Sequence, residues 1–457
     1  MTETFRKFGP ATGLMLLLVL AFLLGGSSRA ETTSMVVLRP LSILALGAGA
    51  LLLPRGAWQA NRSLVLCCLA WLGLTLLHLV PLPPALWQNL PGRELAASID
   101  QAAGLSIWRP FSLAPWRTVI SAVAMALPLA ALLLALRIPA ERTAPVVLLL
   151  LGLVLISATM GLLQVIGGKG NAFYTYAVTN GDSAVGLFAN RNHNAMFLAI
   201  GFPLIAAAAA LWNGPEETRR SREMAALGAG LLLIPFLVTT QSRAGLVLGL
   251  FGMVLALWVY RAPGAALQKR RPQKQFDPRL ILAGLAAAAV IMLTMVFTAT
   301  NAVERLGRLG SKDDELRFQI WPPIARLVAD FFPWGSGMGT FVEVYGAAEP
   351  ARLLEPSYVN HAHNDWLEVA LTGGVPFLLL LAVAAVITAR RGIGNLLSPG
   401  ANPARQVLAR LGFTICLVLI LGSVYEYPLR TPSMVALFAV GVAFWAGKSA
   451  RSQDAVR

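Results

Sequence analysis

Charged side chains are scarce in this sequence. Only 13% of its 457 residues are Asp, Glu, Lys or Arg, whereas 56% are hydrophobic. Apolar runs of about 20 residues recur along the chain, and each is long enough to cross a bilayer core of roughly 30 Å as a helix. The runs are continuous and do not alternate with polar residues, which excludes a transmembrane β-barrel. The composition predicts an all-α polytopic membrane protein.

Cysteine is also rare, and its placement excludes two kinds of site. Cys67, Cys68 and Cys416 all fall inside apolar runs, with no CxxC or His/Cys metal spacing. Neither a disulfide framework nor a zinc site is indicated, and we predict no metal and no cofactor. The acidic triplet at 313–315 is interpreted as a solvated face rather than a cation site.

The glycine-rich segment at 335–339 suggests a nucleotide-binding loop, but we reject that interpretation. It follows no predicted strand and does not end in Gly-Lys-Ser/Thr. We interpret Gly335, Gly337 and Gly339 as a flexible turn.

About twelve membrane-spanning helices are predicted, with a large, partly helical loop before the tenth. The predicted spans are 12–27, 36–53, 63–80, 118–136, 144–166, 194–212, 225–240, 244–260, 280–299, 374–389, 408–424 and 432–447. The chain therefore divides into residues 1–300 with helices 1–9, the loop 301–373, and residues 374–457 with helices 10–12.

The net charge of +15 is concentrated at the termini and in the even-numbered connections. This is the positive-inside pattern, which predicts that both termini are cytoplasmic and that the large loop faces the opposite side. We attribute the basic charge to topology near anionic membrane lipids and not to nucleic-acid binding.

Two outer segments carry structural predictions. The connection 81–117 is broken by prolines and contains Trp87, Trp108 and Trp116, so we expect it to lie on the membrane surface. In the large loop, a helical pattern begins at Arg317, and Pro322-Pro323 is expected to interrupt it.

Polar clusters lie at the predicted outer ends of the apolar runs. They comprise Asn190, Arg191 and Asn192 before the sixth span, Arg243 between the seventh and eighth, and the stretch His361–Asp365 with His363 and Asn364. Arg317 lies within the large loop, in a segment that can fold over the same side. Charged groups at a membrane boundary are costly unless they are paired or face water. Capped helix ends with arginines that extend to the interface are the structural alternative.

These residue types fit one reaction. Arginine donates in a rigid fork to phosphate oxygens, and a histidine accepts a proton from a hydroxyl at neutral pH. Together they suit glycosyl transfer from a lipid-linked diphosphate sugar, with the arginines stabilising the charge that develops on the leaving group. A transporter or flippase of lipid-linked sugars would use similar arginines, but at mid-membrane on broken helices. A structural membrane partner without catalysis is a third hypothesis.

Four stretches resemble the O-antigen ligase and polymerase superfamily of bacterial inner-membrane glycosyltransferases. They are GLFANRNHNA at 186–195, TTQSRAG at 239–245, Arg317 and Trp321 followed by PWGSGMGTF at 333–341, and HAHNDWLEVALTGG at 361–374. The resemblance implies a GT-C-like fold in the inner membrane. It also implies metal-independent, inverting transfer of a glycan from undecaprenyl diphosphate to an acceptor hydroxyl at the periplasmic face.

Site roles follow from this resemblance by position. His363 would be the base or would orient the acceptor, and Arg243 and Arg317 would hold the diphosphate. The residues expected to assist substrate binding are Arg191, Asn190, Asn192, Asn364 and His361. For His361, a structural hydrogen bond is the alternative role. The acceptor would be lipid A–core in a ligase, another lipid-linked glycan in a polymerase, or a protein. The ligase pattern places a second glycine where Phe377 stands, which weakens the ligase assignment.

Overall fold

The computed structural model describes residues 3–212, 216–260, 312–354, 357–398 and 402–448. In chain order, the helices are α1 (Glu3–Leu24), α2 (Met35–Leu52), α3 (Arg55–Leu77), α4 (Pro84–Trp87), α5 (Glu94–Ala102), α6 (Pro115–Ala124), α7 (Ala126–Leu136), α8 (Ala144–Ile166), α9 (Arg191–Leu211), α10 (Arg219–Thr239), α11 (Arg243–Tyr260), α12 (Lys312–Asp330), α13 (Phe341–Ala348), α14 (Asp365–Leu397), α15 (Pro403–Gly422) and α16 (Pro432–Ala446). Two short strands, β1 (Pro81–Leu82) and β2 (Arg109–Pro110), pair antiparallel.

Nine helical segments in the described ranges are long and apolar enough to cross a membrane. Two shorter apolar helices, within α1 and at α16, accompany them. The protein is an all-α polytopic membrane protein, as the composition predicted. Eleven of the twelve predicted spans coincide with these helices. The predicted ninth span, 280–299, and the basic linker 261–279 lie outside the described residues, so the count of twelve stays a prediction.

Helix α9 is the central element of the bundle. Most of its side chains are buried, and it packs against α8, α10, α11 and α15. Close packing with α11 depends on Gly252, where an added Cβ would lie 2.4 Å from the carbonyl oxygen of Ala199. The outer helices expose large apolar side chains such as Leu44 and Leu257. Such side chains are stable on a surface that faces lipid.

The connection between α3 and α6 contains β1, β2, α4 and α5, and its location on the membrane surface stays a prediction. Trp108 and Trp116 are 65% and 70% exposed, as expected for side chains at a membrane surface. Trp87 was predicted to share this role, and that prediction is wrong. It is buried, and its Nε1 donates a hydrogen bond of 2.8 Å to the carbonyl of Pro110. This tryptophan therefore fixes the connection internally.

The predicted interruption of the helix at Pro322-Pro323 is wrong, because α12 is continuous through both prolines. Each proline removes one backbone donor from the helix. Ile320 and Ile324 are completely buried on the same face, in a small core that also contains Phe341. We attribute the continuity of α12 to this packing.

The helix predicted to start near residue 374 begins earlier, at Asp365. The side chain of Asn364 caps it by accepting a 3.0 Å hydrogen bond from the backbone N–H of Leu367. Gly374, with φ of +62°, interrupts α14 before the apolar part begins. The hydrophobic pattern therefore marks only the second part of this helix.

The glycine turn at 335–339, predicted to be flexible, is hydrogen-bonded to the interruption in α14. The backbone N–H groups of Ser336 and Gly337 donate to the carbonyls of Leu371 and Thr372, each at 2.9 Å. All three of its glycines have positive φ, a region that glycine adopts without steric cost. The turn is a closely packed support for α14, whose start follows the histidine stretch.

Candidate active site

Glu426 lies at the centre of the candidate site. Its side chain is fully buried in the short connection between α15 and α16. The Arg317 guanidinium and the Nδ2 of Asn192 both donate to its Oε1. Asn190 Nδ2 donates to Oε2 over 3.3 Å. Three residues identified from the sequence therefore converge on one carboxylate.

His363 approaches the same carboxylate from the start of α14. Its Nδ1 lies 3.4 Å from Glu426 Oε2, and Nε2 of His193 lies 4.0 Å from that oxygen. The backbone of His363 is in the left-handed region, with φ of +49°. A non-glycine residue in that conformation is strained and is often found at functional sites. The geometry turns Nδ1 toward the acid and leaves Nε2 as the second ring nitrogen.

The charge of Glu426 is determined by its neighbours. Burial favours the neutral acid, but Arg317 and His363 more than offset this and hold the pKa of Glu426 below its usual range. An opposite charge in contact with a carboxyl favours the ionised form. The carboxylate is therefore charged at neutral pH and compensates the charge of Arg317.

The aromatic ring of Tyr427 packs against the histidines of the site. The rings of His193, His361 and His363 surround it, with centroids 5.0, 4.7 and 4.8 Å from its own. Burial and the adjacent charge of Glu426 raise the pKa of Tyr427 to about 12. Its hydroxyl is therefore neutral at physiological pH, and the ring contacts fix the histidine orientations.

A second buried network holds the histidine stretch in place. His361 Nδ1 lies 3.1 Å from both carboxylate oxygens of Glu368. Arg430 lies between Glu368 and Asp365, with Nε 3.6 and 3.2 Å from their oxygens. Ser423 Oγ donates to Asp365 over 2.9 Å. The network joins the start of α14 to the connection that carries Glu426, and it gives His361 a structural contact.

The positive charge of Arg430 is secured by the same network. Burial lowers the pKa of the Arg430 guanidinium, but Glu368 and Asp365 reverse this and raise it above its usual value. Arg430 is therefore charged at neutral pH. Its ion pairs with the two acids add an electrostatic contribution to the contact between the start of α14 and the connection that carries Glu426.

A cavity of about 190 Å³ opens over His363 and Arg317. This volume is below the ~300–1,000 Å³ of typical small-molecule pockets, so it has room for only the reacting part of a large substrate. Its lining includes Arg29 and many hydroxyl and amide side chains, from Ser27, Ser28, Thr179, Asn180, Asn190, Asn192 and Asn360. Such groups match sugar hydroxyls and phosphate oxygens.

The remaining residues predicted for the site lie at helix starts. Arg191 begins α9, and its Nη1 is 3.5 Å from Ser183 Oγ. Arg243 begins α11 beside the first turns of α9, because Gly245 packs against Ala195. In the described part of the chain, neither arginine is among the residues that line the cavity. Asn364 is the cap of α14.

Sequence reasoning missed Glu426, although a signal was present. The connection 423–431, SVYEYPLRT, is nine residues long and contains one acid between two apolar runs. An ionisable residue at a membrane boundary is a functional candidate by its cost alone.

Within the described ranges, no group of three His, Cys, Asp or Glu side chains is arranged to hold a metal ion. The acids of the site are instead engaged with arginine and histidine side chains. The residues of the site are thus arranged as cation–carboxylate and histidine–carboxylate pairs.

Comparison with known families gives one match. Residues 228–382, about a third of the chain, match the family model of O-antigen ligase. The segment includes Arg243, Arg317, His361 and His363, whereas Glu426 lies beyond it. None of the curated proteins matches the chain. This match, together with the membrane-spanning helices, supports membership of the O-antigen ligase and polymerase superfamily.

Proposed function

We propose that this protein transfers a glycan from undecaprenyl diphosphate to an acceptor hydroxyl at the periplasmic face of the bacterial inner membrane, with lipid A–core as the acceptor. The family supports glycan transfer of the ligase or polymerase type. The observation that carries the finer proposal is the meeting of His363 and Arg317 on one cavity around Glu426.

In the proposed reaction, the acceptor hydroxyl lies at His363. Nε2 takes the hydroxyl proton as the acceptor oxygen forms a bond to the anomeric carbon of the donor sugar. The bond from that carbon to the phosphate oxygen breaks, and the diphosphate leaves with the electron pair. A single displacement of this kind inverts the anomeric configuration. Glu426 holds Nδ1 and thereby stabilises the imidazolium that forms, as the acid partner of a catalytic histidine does.

Arg317 has a double task in this proposal. A guanidinium carries five N–H donors, so it can bind Glu426 and a phosphate oxygen at the same time. Its fork would stabilise the negative charge that grows on the leaving diphosphate. Arg243 and Arg191 stay candidates for the more distant parts of the donor, near the starts of α9 and α11.

A polymerase that extends a lipid-linked glycan is the second candidate. One observation favours it: Phe377 occupies the position of the second glycine in the ligase pattern. The ring is fully buried and packs against Trp71 and His78, with centroids 4.8 and 5.4 Å away. An aromatic ring therefore occupies a position at which the ligase pattern has glycine, a residue without a side chain.

Glycan profiling of a deletion strain tests the proposal. A ligase leaves lipopolysaccharide without O-chain while long polymer persists on the lipid carrier. A polymerase leaves single repeat units on lipid A–core. An unchanged profile after deletion would contradict both and would direct attention to exopolysaccharide or protein acceptors. Complementation with the wild-type gene is the control.

A further inference from the structure

Arg29 lines the cavity but has no role in the reaction proposed above. It lies in the connection between α1 and α2 and lines the same cavity as Arg317 and His363. We propose that Arg29 is a second binding group for the diphosphate of the donor, in addition to Arg317. This inference rests on the function proposed above, because it assumes a lipid diphosphate in the cavity.

The charge balance of the cavity supports a binding role for Arg29. Arg29 and Arg317 are the guanidinium groups among its described lining residues. The charge of Arg317 is compensated by Glu426, whose side chain is completely buried. A diphosphate carries negative charge on two phosphate groups, and a single compensated arginine is a weak match for it. Arg29 supplies the additional cation.

The partner of Arg29 differs from that of Arg317. Nη1 of Arg29 lies 3.5 Å from Glu31 Oε1, and the Glu31 side chain is 55% exposed. Because the Glu31 carboxylate is this exposed, water screens its attraction to Arg29 and weakens the pair. Glu31 also accepts a hydrogen bond from the hydroxyl of Tyr358. A phosphate inside the cavity would therefore compete with a weak, shared partner.

The orientation of Arg29 is fixed before any ligand binds. Its guanidinium carbon lies 4.4 Å from the ring centroid of Tyr358, and only 15% of the side chain is exposed. Stacking of this kind holds the plane of the guanidinium and leaves its N–H edge for an anion. A pre-ordered side chain loses less entropy when it binds.

Three hydrogen bonds anchor the chain on the N-terminal side of Arg29. The N–H of Gly26 donates to the Tyr176 hydroxyl over 2.8 Å, and the carbonyl of Gly26 accepts from Ala189 over 3.0 Å. Asn360 Nδ2 donates to Ser28 Oγ over 3.1 Å. The connection is thereby fastened to the segment before α9 and to the histidine stretch, which places Arg29 at a fixed position on the cavity.

Binding of undecaprenyl diphosphate and undecaprenyl monophosphate to the purified protein tests the proposal. Arg29→Gln removes the charge, and Arg352→Gln is the matched control, because Arg352 is exposed and outside the cavity. We expect Arg29→Gln to weaken diphosphate binding about tenfold to a hundredfold, the effect of one lost charged hydrogen bond. Monophosphate binding should change less, and the Arg352→Gln protein should bind like wild type.

Glu31→Gln gives a test in the opposite direction that does not depend on the folding of the Arg29 variant. Loss of the competing carboxylate should tighten diphosphate binding several-fold. Wild-type affinity for the diphosphate in both Arg29→Gln and Glu31→Gln would overturn the proposal. If the wild-type protein itself shows no preference for diphosphate over monophosphate, the result contradicts undecaprenyl diphosphate as the donor carrier, and with it the proposed function.

Discussion

His363 Nδ1 and Glu426 Oε2 lie 3.4 Å apart, although 63 positions separate the two residues in the chain. The contact joins the start of α14 to the connection between α15 and α16. A carboxylate beside one ring nitrogen orients the imidazole and leaves the other nitrogen available for proton transfer. The pair is therefore the feature on which the proposed chemistry depends most.

Glu426→Gln should lower the stability of the fold at neutral pH. Arg317, with 12% of its side chain exposed, would lose its anionic partner, and breaking such a buried pair costs about 3 kcal/mol or more. The thermal midpoint in detergent, measured by tryptophan fluorescence at pH 7, checks this. Glu343→Gln is the control, since Glu343 is 39% exposed where it pairs with Arg117.

The pH dependence of that difference has a defined sign. The folded-state pKa of Glu426 is lowered relative to the ordinary value of 4.5. Its stabilisation is therefore complete above pH 4.5 and is lost as the pH falls through the folded-state pKa. The gap in thermal midpoint between wild type and Glu426→Gln should be widest near pH 7 and should narrow in acid. A gap that widens on acidification would be inconsistent with an ionised Glu426.

Arg317→Ala should impair donor binding, because the variant removes the fork that faces the cavity. We expect affinity for undecaprenyl diphosphate to fall about tenfold to a hundredfold. Arg326→Ala is the matched control, since Arg326 is exposed on the same helix α12. Equal binding by the two alanine variants would remove Arg317 from the diphosphate site.

Gly335→Ala should disturb the support of α14. An added Cβ would lie 2.8 Å from the backbone nitrogen of Gly374 and 2.9 Å from Thr372, at a φ of +80°. We expect a lower thermal midpoint and lower activity. Gly346→Ala is the control, because a Cβ there meets nothing within 4 Å, and alanine favours helix more than glycine does. A Gly335→Ala protein as stable as the control would show that the turn is adaptable.

The sequence predicted the helical spans well because membrane helices are marked by length and hydropathy. It predicted His363, Asn190 and Asn192 as polar residues at the ends of those spans and Arg317 as a cation in the large loop, and the structure brings these four around Glu426. His363, Asn190 and Asn192 could be identified from residue type and position because polar groups at a membrane boundary cost free energy unless they are paired or hydrated.

Contacts between distant segments could not be predicted from residue type and position in the sequence. Glu426, Arg29 and Tyr358 act through partners far along the chain, and no local pattern specifies those partners. Trp87 was misplaced for a similar reason: its indole is buried against Pro110 rather than at the interface. Helical periodicity likewise gave no sign that α12 continues through its two prolines, since packing of Ile320 and Ile324 holds it.

The most direct measurement is glycan transfer by the purified protein from an undecaprenyl-diphosphate-linked donor, compared between wild type and His363→Ala. We predict that the variant transfers at least about a hundredfold more slowly, the usual contribution of a general base. It should still bind undecaprenyl diphosphate, because Arg29 and Arg317 remain. Transfer by His363→Ala at the wild-type rate would contradict the account and remove His363 from the chemistry.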